Sequence, residues 1–279
     1  MVNKTPQVLT IAGMDSSGGA GVSADLKTFA AQGVYGANVI VALTAQNTMG
    51  VQQVSMTSPS MIHAQLKSVA DDLKISAVKS GMLGDVPTVE AVAEFLQQAD
   101  FGNYVLDPVM VAKGGAHLLS DEAIVAIKSS LIPLATLITP NMPEAEVLSG
   151  SNITNHEDVM QSASKIQQLG VENVLLKGGH ASGKDVYDYI LLADGSHFWL
   201  KSSRVDTIRT HGTGDTISAA ITARLALGDD MKTAIIHAKA YVDATIREGI
   251  DVGHGHGHGP LNHQARVTDR HFPEVLENV

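Results

Sequence analysis

VLTIAGMDSSGGAGVSADLKTFAAQG, residues 8–33, holds one complete strand–loop–helix unit. Val8 to Ala12 is a short apolar run of strand length. Gly13 to Gly21 is a loop of glycine and serine. From Ala24 onward Leu26, Phe29 and Ala30 fall at helical spacing, and Gly33 supplies the stop.

The same alternation continues outward from this unit. Val39–Leu43, Ala77–Ser80, Tyr104–Leu106, Leu137–Ile138 and Asn173–Leu176 read as strands. Ser60–Leu73, Val86–Ala99, Asp121–Leu131, Glu144–Leu148 and His156–Leu169 read as helices. Tyr187–Ala193 and His197–Leu200 flank Asp194-Gly195, a hairpin signal. Asp215–Leu227 and Met231–Glu248 predict two closing helices. Strands alternating with helices of about 10–15 residues imply βαβ units and a mainly parallel sheet. No linker divides residues 1–279, so a single three-layer α/β domain is expected, with a peripheral tail from about 267 to 279. Ligands of such sheets sit at the carboxyl ends of the strands.

Composition narrows the function. The 279 residues are 44% hydrophobic and 17% charged, which fits a globular protein. Nineteen Lys and Arg against 29 Asp and Glu give a formal charge of −10, so no nucleic-acid partner is expected. Thiolate metal sites, disulfides and a cysteine nucleophile are excluded because the chain has no Cys. The run Val8–Ala12 is too short for a secretory core or for a membrane span of about 20 residues. A cytoplasmic protein with no membrane partner is expected.

Four segments carry candidate chemistry. AGMDSSGGAGVSAD (12–25) could let backbone approach a ligand, or could be a turn with Asp15 as local cap. It is neither a dinucleotide fingerprint nor a Walker A loop, which argues against a nicotinamide dehydrogenase. THGTGDT (210–216) precedes a helical pattern, so the amides of Gly212, Thr213, Gly214 and Asp215 could form an anion hole beside the Asp215 carboxylate. The alternative is a capping turn in which Asp215 complements the helix dipole. TPNMPEAE (139–146) aims Asn141 and Glu144 outward from a strand end, and Asp107 stands equivalently after Leu106. Such carboxylates either hold magnesium or cap helices. Lys177, followed by two glycines, faces phosphates or snorkels from its strand.

Taken in order, these segments resemble the hydroxymethylpyrimidine and phosphomethylpyrimidine kinases of thiamine synthesis, within the ribokinase superfamily. The resemblance runs from about Leu9 to His263. It includes AGMDSSGGAG (12–21), ADLKTFAAQGVYG (24–36), ALTAQNTMGV (42–51), GML (81–83), LDPVMVAKGG (106–115), TPNMPEAE, LKGGH (176–180), THGTGDT and GHGHGPLNH (255–263). It implies a Rossmann-like α/β/α ribokinase-like fold, ATP and Mg2+, and a homodimer. It also implies two phosphorylations, of 4-amino-5-hydroxymethyl-2-methylpyrimidine and then of its monophosphate. By the same resemblance Gly13, Asp25, Gln46, Met82 and Val109 form the small-molecule pocket. Asn141, Lys177 and Thr213 contact ATP, Asp107 and Glu144 organise magnesium, and Gly212, Gly214 and Asp215 are catalytic.

One position departs from the pattern. Many kinases of this type carry Cys where this chain has Asp215, whereas the wider superfamily uses Asp there as base. A carboxylate base is chemically sound. The change leaves a pyridoxal or pyridoxine kinase as the alternative reading, with Gln46 favouring the pyrimidine. A vitamer-binding protein without catalysis would have lost part of the phosphoryl-transfer set, and that set is intact. DVGHGHGHGP (251–260) reads as a loop near the site, or as a histidine tract able to bind zinc or nickel.

Overall fold

Most helices of this chain start on a side-chain cap that the sequence supplies. Ser58, Asp85, Ser120, Asn141, Asn155 and Asp230 each accept a hydrogen bond from an amide two residues inside their helix. The helices so started are α2 (Pro59–Asp72), α3 (Val86–Gln98), α4 (Asp121–Ala126), α5 (Met142–Ser149), α6 (His156–Gln167) and α8 (Met231–Arg247). Two others, α1 (Gly21–Ala31) and α7 (Thr213–Ala226), follow Ala20 and Gly212 and have no side-chain cap of their own. Both of these starts border the site described below. The structure is a computed structural model describing residues 4–110, 119–179, 183–254 and 257–277.

The strands are β1 (Gln7–Asp15), β2 (Tyr35–Asn47), β3 (Gly50–Met56), β4 (Ile75–Ser80), β5 (Asn103–Leu106), β6 (Leu137–Ile138), β7 (Asn173–Leu176), β8 (Asp185–Leu191), β9 (His197–Ser203) and β10 (Glu274–Leu276). Among the described residues they form one sheet in the order β10-β9-β8-β7-β6-β5-β4-β1-β2-β3. The block from β2 through β1, β4, β5 and β6 to β7 is parallel, and antiparallel strands extend it at both edges.

Strand alternation divides the core into two layers. Tyr104, Leu106, Val174 and Leu176 pack with residues of α2 to α6 on one face. Val105, Leu137 and Leu175 point the other way, into α7 and α8, while Val8 meets Phe29 of α1 and Ala219 of α7. A parallel sheet covered on both faces explains why its strands read as continuous apolar runs. The result is a three-layer α/β/α architecture. None of its described helices is long and apolar enough to cross a membrane.

The structure redraws three parts of the expected outline. β1 does not stop at Ala12 but continues to Asp15, after a register shift between Ala12 and Gly13, because β2 pairs with it through Thr44. β3, which had no strand signal, folds back on β2. The tail expected to be peripheral buries His271 and adds β10 to the sheet edge. Residues 111–115 of the LDPVMVAKGG motif and His180 lie outside the described residues.

Candidate active site

A cavity of about 830 Å³ opens at the carboxyl ends of the parallel strands. The strands deliver its polar groups directly. β5 ends at Leu106 and presents Asp107, and β6 leads through Thr139 and Pro140 to Asn141. β7 hands over to Lys177, whose N–H donates to Pro140 O at 2.9 Å. The cavity is lined by Gly13, Gln46, Met82, Asp107, Val109, Asn141, Glu144, Lys177 and Gly212 through Asp215, so the structure brings all the expected residues but one to a single place.

The exception is Asp25. Expected to line the substrate pocket, it is instead fully buried behind it. Its carboxylate accepts Lys79 Nζ–H bonds at 2.7 and 2.8 Å and a hydroxyl bond from Thr10 at 2.6 Å. An aspartate one turn into α1 faces the sheet and not the loop, which the motif alone did not reveal. Burial pushes the Asp25 carboxyl up to about 7, against the opposing pull of Lys79. Burial lowers Lys79 in turn, but Asp25, Asp215 and Asp107 outweigh it and hold the ammonium above its ordinary value.

At one side of the cavity the loop after β1 is organised by Asp15. Its carboxylate accepts the N–H groups of Ser17, Gly19 and Ala20 at 2.7, 3.0 and 2.9 Å, which serves the start of α1. His211 Nε2 lies 2.9 Å from the same carboxylate, and that nitrogen must be the donor because an ionised acid only accepts. Burial alone would raise Asp15, but the bonds from His211 and Ser17 leave it below the ordinary carboxylate range. His211 in turn sits 3.4 Å from the Gln46 amide, whose other end meets the Thr44 hydroxyl at 3.1 Å. Gly13 donates its N–H to Met82 O, and a methyl on Gly13 would come within 2.8 Å of the Met82 side chain. Gln46, Gly13 and Met82 therefore form a wall that is polar on one edge and apolar on the other.

On the other side stands a cluster of opposite charges. Lys177 Nζ donates to Asp107 Oδ1 at 3.0 Å, and Thr139 and Ser218 donate hydroxyl bonds to Asp107 at 3.3 Å each. Glu144 forms a reciprocal cap with Asn141: Asn141 N–H donates to Glu144 Oε2 at 2.8 Å, and Glu144 N–H to Asn141 Oδ1 at 3.0 Å. The capping reading of TPNMPEAE is thus the one observed, and the cap leaves Glu144 among the residues that line the cavity. Burial pushes Glu144 up to about 7, opposed by Lys177 and assisted by Asp107. Burial lowers Lys177, yet Asp107 and Glu144 raise it overall.

The Gly212–Asp215 turn joins the two sides. Its neighbour His211 reaches Asp15 and Gln46, while a Cβ on Gly214 would lie 3.4 Å from Lys177 Nζ. No side chain caps α7 and its first residues line the cavity, so the helix start favours an anion there. Thr216, one residue further, is braced by His263, whose Nε2 is 3.1 Å from its hydroxyl. Burial pushes His263 down to about 4, so the imidazole is neutral. Asp215 Oδ1 lies 3.3 Å from Lys79 Nζ.

Lys79, His211 and the Lys239–Asp188 pair that also lines the cavity were not among the residues expected from the sequence. Lys79 had a signal, since a lysine inside the apolar run Ala77–Ser80 needs a buried partner. Lys239 and Asp188 are 51 positions apart and had none. Of the His-Gly run, His258 reaches the cavity and donates its N–H to Thr48 O at 2.8 Å. Gly255 and His256 lie outside the described residues, and the described ones contain no cluster of three metal-ligating side chains.

The comparisons with known proteins agree with this geometry. A family model described as phosphomethylpyrimidine kinase matches residues 15–262. The hydroxymethylpyrimidine/phosphomethylpyrimidine kinase of Haemophilus influenzae is 48% identical over 267 residues, covering 95% of this chain and 98% of that protein. Among solved structures, pyridoxal kinase from Staphylococcus aureus in complex with AMP-PCP and pyridoxal is similar, with TM-score 0.89 and 32% identity over 99% of this chain and 100% of that one. Phosphomethylpyrimidine kinase from Clostridium difficile is 41% identical with TM-score 0.76, over 85% of this chain and 98% of that one. The fold is thus the ribokinase-like α/β/α fold of these kinases, and a match of this length and identity means that the chain belongs to the phosphomethylpyrimidine kinase family.

Proposed function

We propose that this kinase transfers the γ-phosphoryl group of ATP to the hydroxymethyl group of 4-amino-5-hydroxymethyl-2-methylpyrimidine, and then phosphorylates the monophosphate, as a step of thiamine synthesis. The observation that carries the reading is the position of Asp215, in the uncapped turn that links the Gln46 side of the cavity to the Lys177 side. The substrate ring lies against Gly13, Met82 and Val109, and the Gln46 amide offers a donor and an acceptor to the aminopyrimidine edge. The ATP phosphates lie toward Lys177, Asn141 and Thr213. Asp215 takes the hydroxyl proton, and the amides of Gly212 to Asp215 hold the charge that develops on the transferring phosphoryl group.

Magnesium fits the acidic side of the cavity. Asp107 and Glu144 are two carboxylates beside it, and each oxygen bonded by protein retains a further lone pair. Two carboxylates with nucleotide phosphates and water are the usual surroundings of Mg2+ in kinases. The ion would neutralise phosphate charge there. Glu144→Gln isolates this role, because the amide oxygen can still accept the Asn141 N–H. It is expected to raise the Mg2+ concentration for half-maximal rate by about 10–100-fold with the melting temperature nearly unchanged. An unaltered magnesium titration would reduce Glu144 to a helix cap.

Product analysis tests the function itself. With ATP, Mg2+ and the free hydroxymethylpyrimidine, the monophosphate should appear first and the diphosphate after it. The likeness to the Staphylococcus aureus pyridoxal kinase makes pyridoxal the competing substrate to assay. A much higher kcat/KM for pyridoxal would overturn the pyrimidine assignment.

A further inference from the structure

Lys79 lies inside the molecule with no solvent-accessible surface, on β4, directly under the Gly212–Asp215 turn. Its ammonium has three N–H donors. Two directions are occupied by Asp25, at 2.7 and 2.8 Å, and a third reaches Asp215 Oδ1 at 3.3 Å. Asp25 is itself clamped by the Thr10 hydroxyl at 2.6 Å. The arrangement is therefore a chain from β1 and α1, through β4, to the first turn of α7. A Cβ at Gly81 would stand 3.4 Å from Lys79 Nζ and 3.8 Å from Asp215 Oδ1, so the glycine leaves room for this contact.

A buried ion pair is weak ground for stability, because desolvation cancels most of its attraction and apolar residues of similar volume would often serve as well. What an apolar trio could not do is hold one oxygen of Asp215. The Asp215 side chain keeps 15% of its surface exposed and lines the cavity. With Oδ1 fixed on Lys79, Oδ2 is the oxygen left to accept the substrate hydroxyl.

We propose that Lys79, anchored by Asp25, is the positioning residue for Asp215. It fixes the rotamer of the carboxylate and touches neither substrate nor nucleotide, since neither Lys79 nor Asp25 lines the cavity. The proposal rests on the reading of Asp215 as base. It also gives Asp25 a role different from the pocket contact that the family resemblance implied.

The experiment is a double-mutant cycle on the full-length enzyme. Lys79→Met alone would strand the Asp25 charge and endanger folding, so the pair Asp25→Asn/Lys79→Gln is used, which replaces two opposite charges by two amides. The pair should lower kcat by about 10²-fold, the usual effect of a misplaced catalytic group. KM for the pyrimidine and for ATP should stay within about threefold. In an Asp215→Asn background the same pair should cause no further loss, because the group it positions is already gone. Lys79→Arg is the second variant: it keeps the charge but not the shape, and should lower kcat at least about tenfold at unchanged KM. Equal losses with and without the Asp215 carboxylate, or an undiminished kcat in either Lys79 variant, would overturn the proposal. Should Asp215→Asn itself remain within tenfold of wild type, the reading of the base fails instead.

Discussion

Asp215→Asn is expected to lower kcat by about 10²–10⁴-fold, the ordinary worth of a positioned general base. The substitution is nearly isosteric, so the amides of Gly212 to Asp215 stay in place and the nucleotide should bind with little change. Lys79 would face an amide oxygen in place of a carboxylate, while Asp25 still bonds its Nζ at 2.7 and 2.8 Å. The fold should therefore survive, and the loss should fall on kcat rather than on KM. Pre-steady-state measurement of product formation checks that chemistry is the step that slows. A variant within tenfold of wild type would mean that the substrate hydroxyl loses its proton elsewhere and that Asp215 only complements the dipole of α7.

Whether the proton goes to Asp215 also bears on the one position where this chain departs from the Cys that the family resemblance leads one to expect. A thiol offers a single sulfur that hydrogen-bonds weakly. A carboxylate has two oxygens, and here one of them contacts an internal cation at 3.3 Å. The second is then free for substrate, which is the sense in which the Asp suits its surroundings.

How far the sequence led depends on the range of the forces involved. The parallel strands and their helices were readable because each buries apolar residues at its own period, whereas the caps Ser58, Asp85, Asn155 and Asp230 were identified only in the structure. β3 was not readable. Its sequence GVQQVSM is exposed over most of its length and pairs with β2 through backbone, so no apolar alternation betrays it. β10 is a three-residue edge strand for the same reason. In the site, the motif residues were legible because each sits at a strand end or helix start. The Asp25–Lys79 and Asp15–His211 contacts span 54 and 196 positions, and only the assembled sheet brings them together. Asp25 shows the limit most plainly, for it belongs to a recognised motif and yet faces the core.

Gly212→Ala is expected to damage both stability and rate, and the reasons are separable. Gly212 has φ +82°, in the left-handed region, where a residue with a Cβ is strained by about 1–3 kcal/mol. The added methyl would also fall 1.9 Å from Gly19 O, which is backbone and cannot rotate away. Gly19 belongs to the loop that Asp15 holds through three amides, so relief of the clash must move that loop or the start of α7. Either motion disturbs the first-turn amides, and losing one such donor elsewhere costs about 10²–10³-fold in kcat. Gly228→Ala is the control, because Gly228 ends α7 with φ +95° but has open space where its Cβ would go. It should show the strain alone: a lower melting temperature with kcat close to wild type. If Gly212→Ala lowered only the melting temperature, to the same extent as Gly228→Ala, the close approach of the two loops would carry no catalytic weight. A fall in kcat peculiar to Gly212→Ala would place the charge-stabilising amides where the backbones of residues 19 and 212 meet.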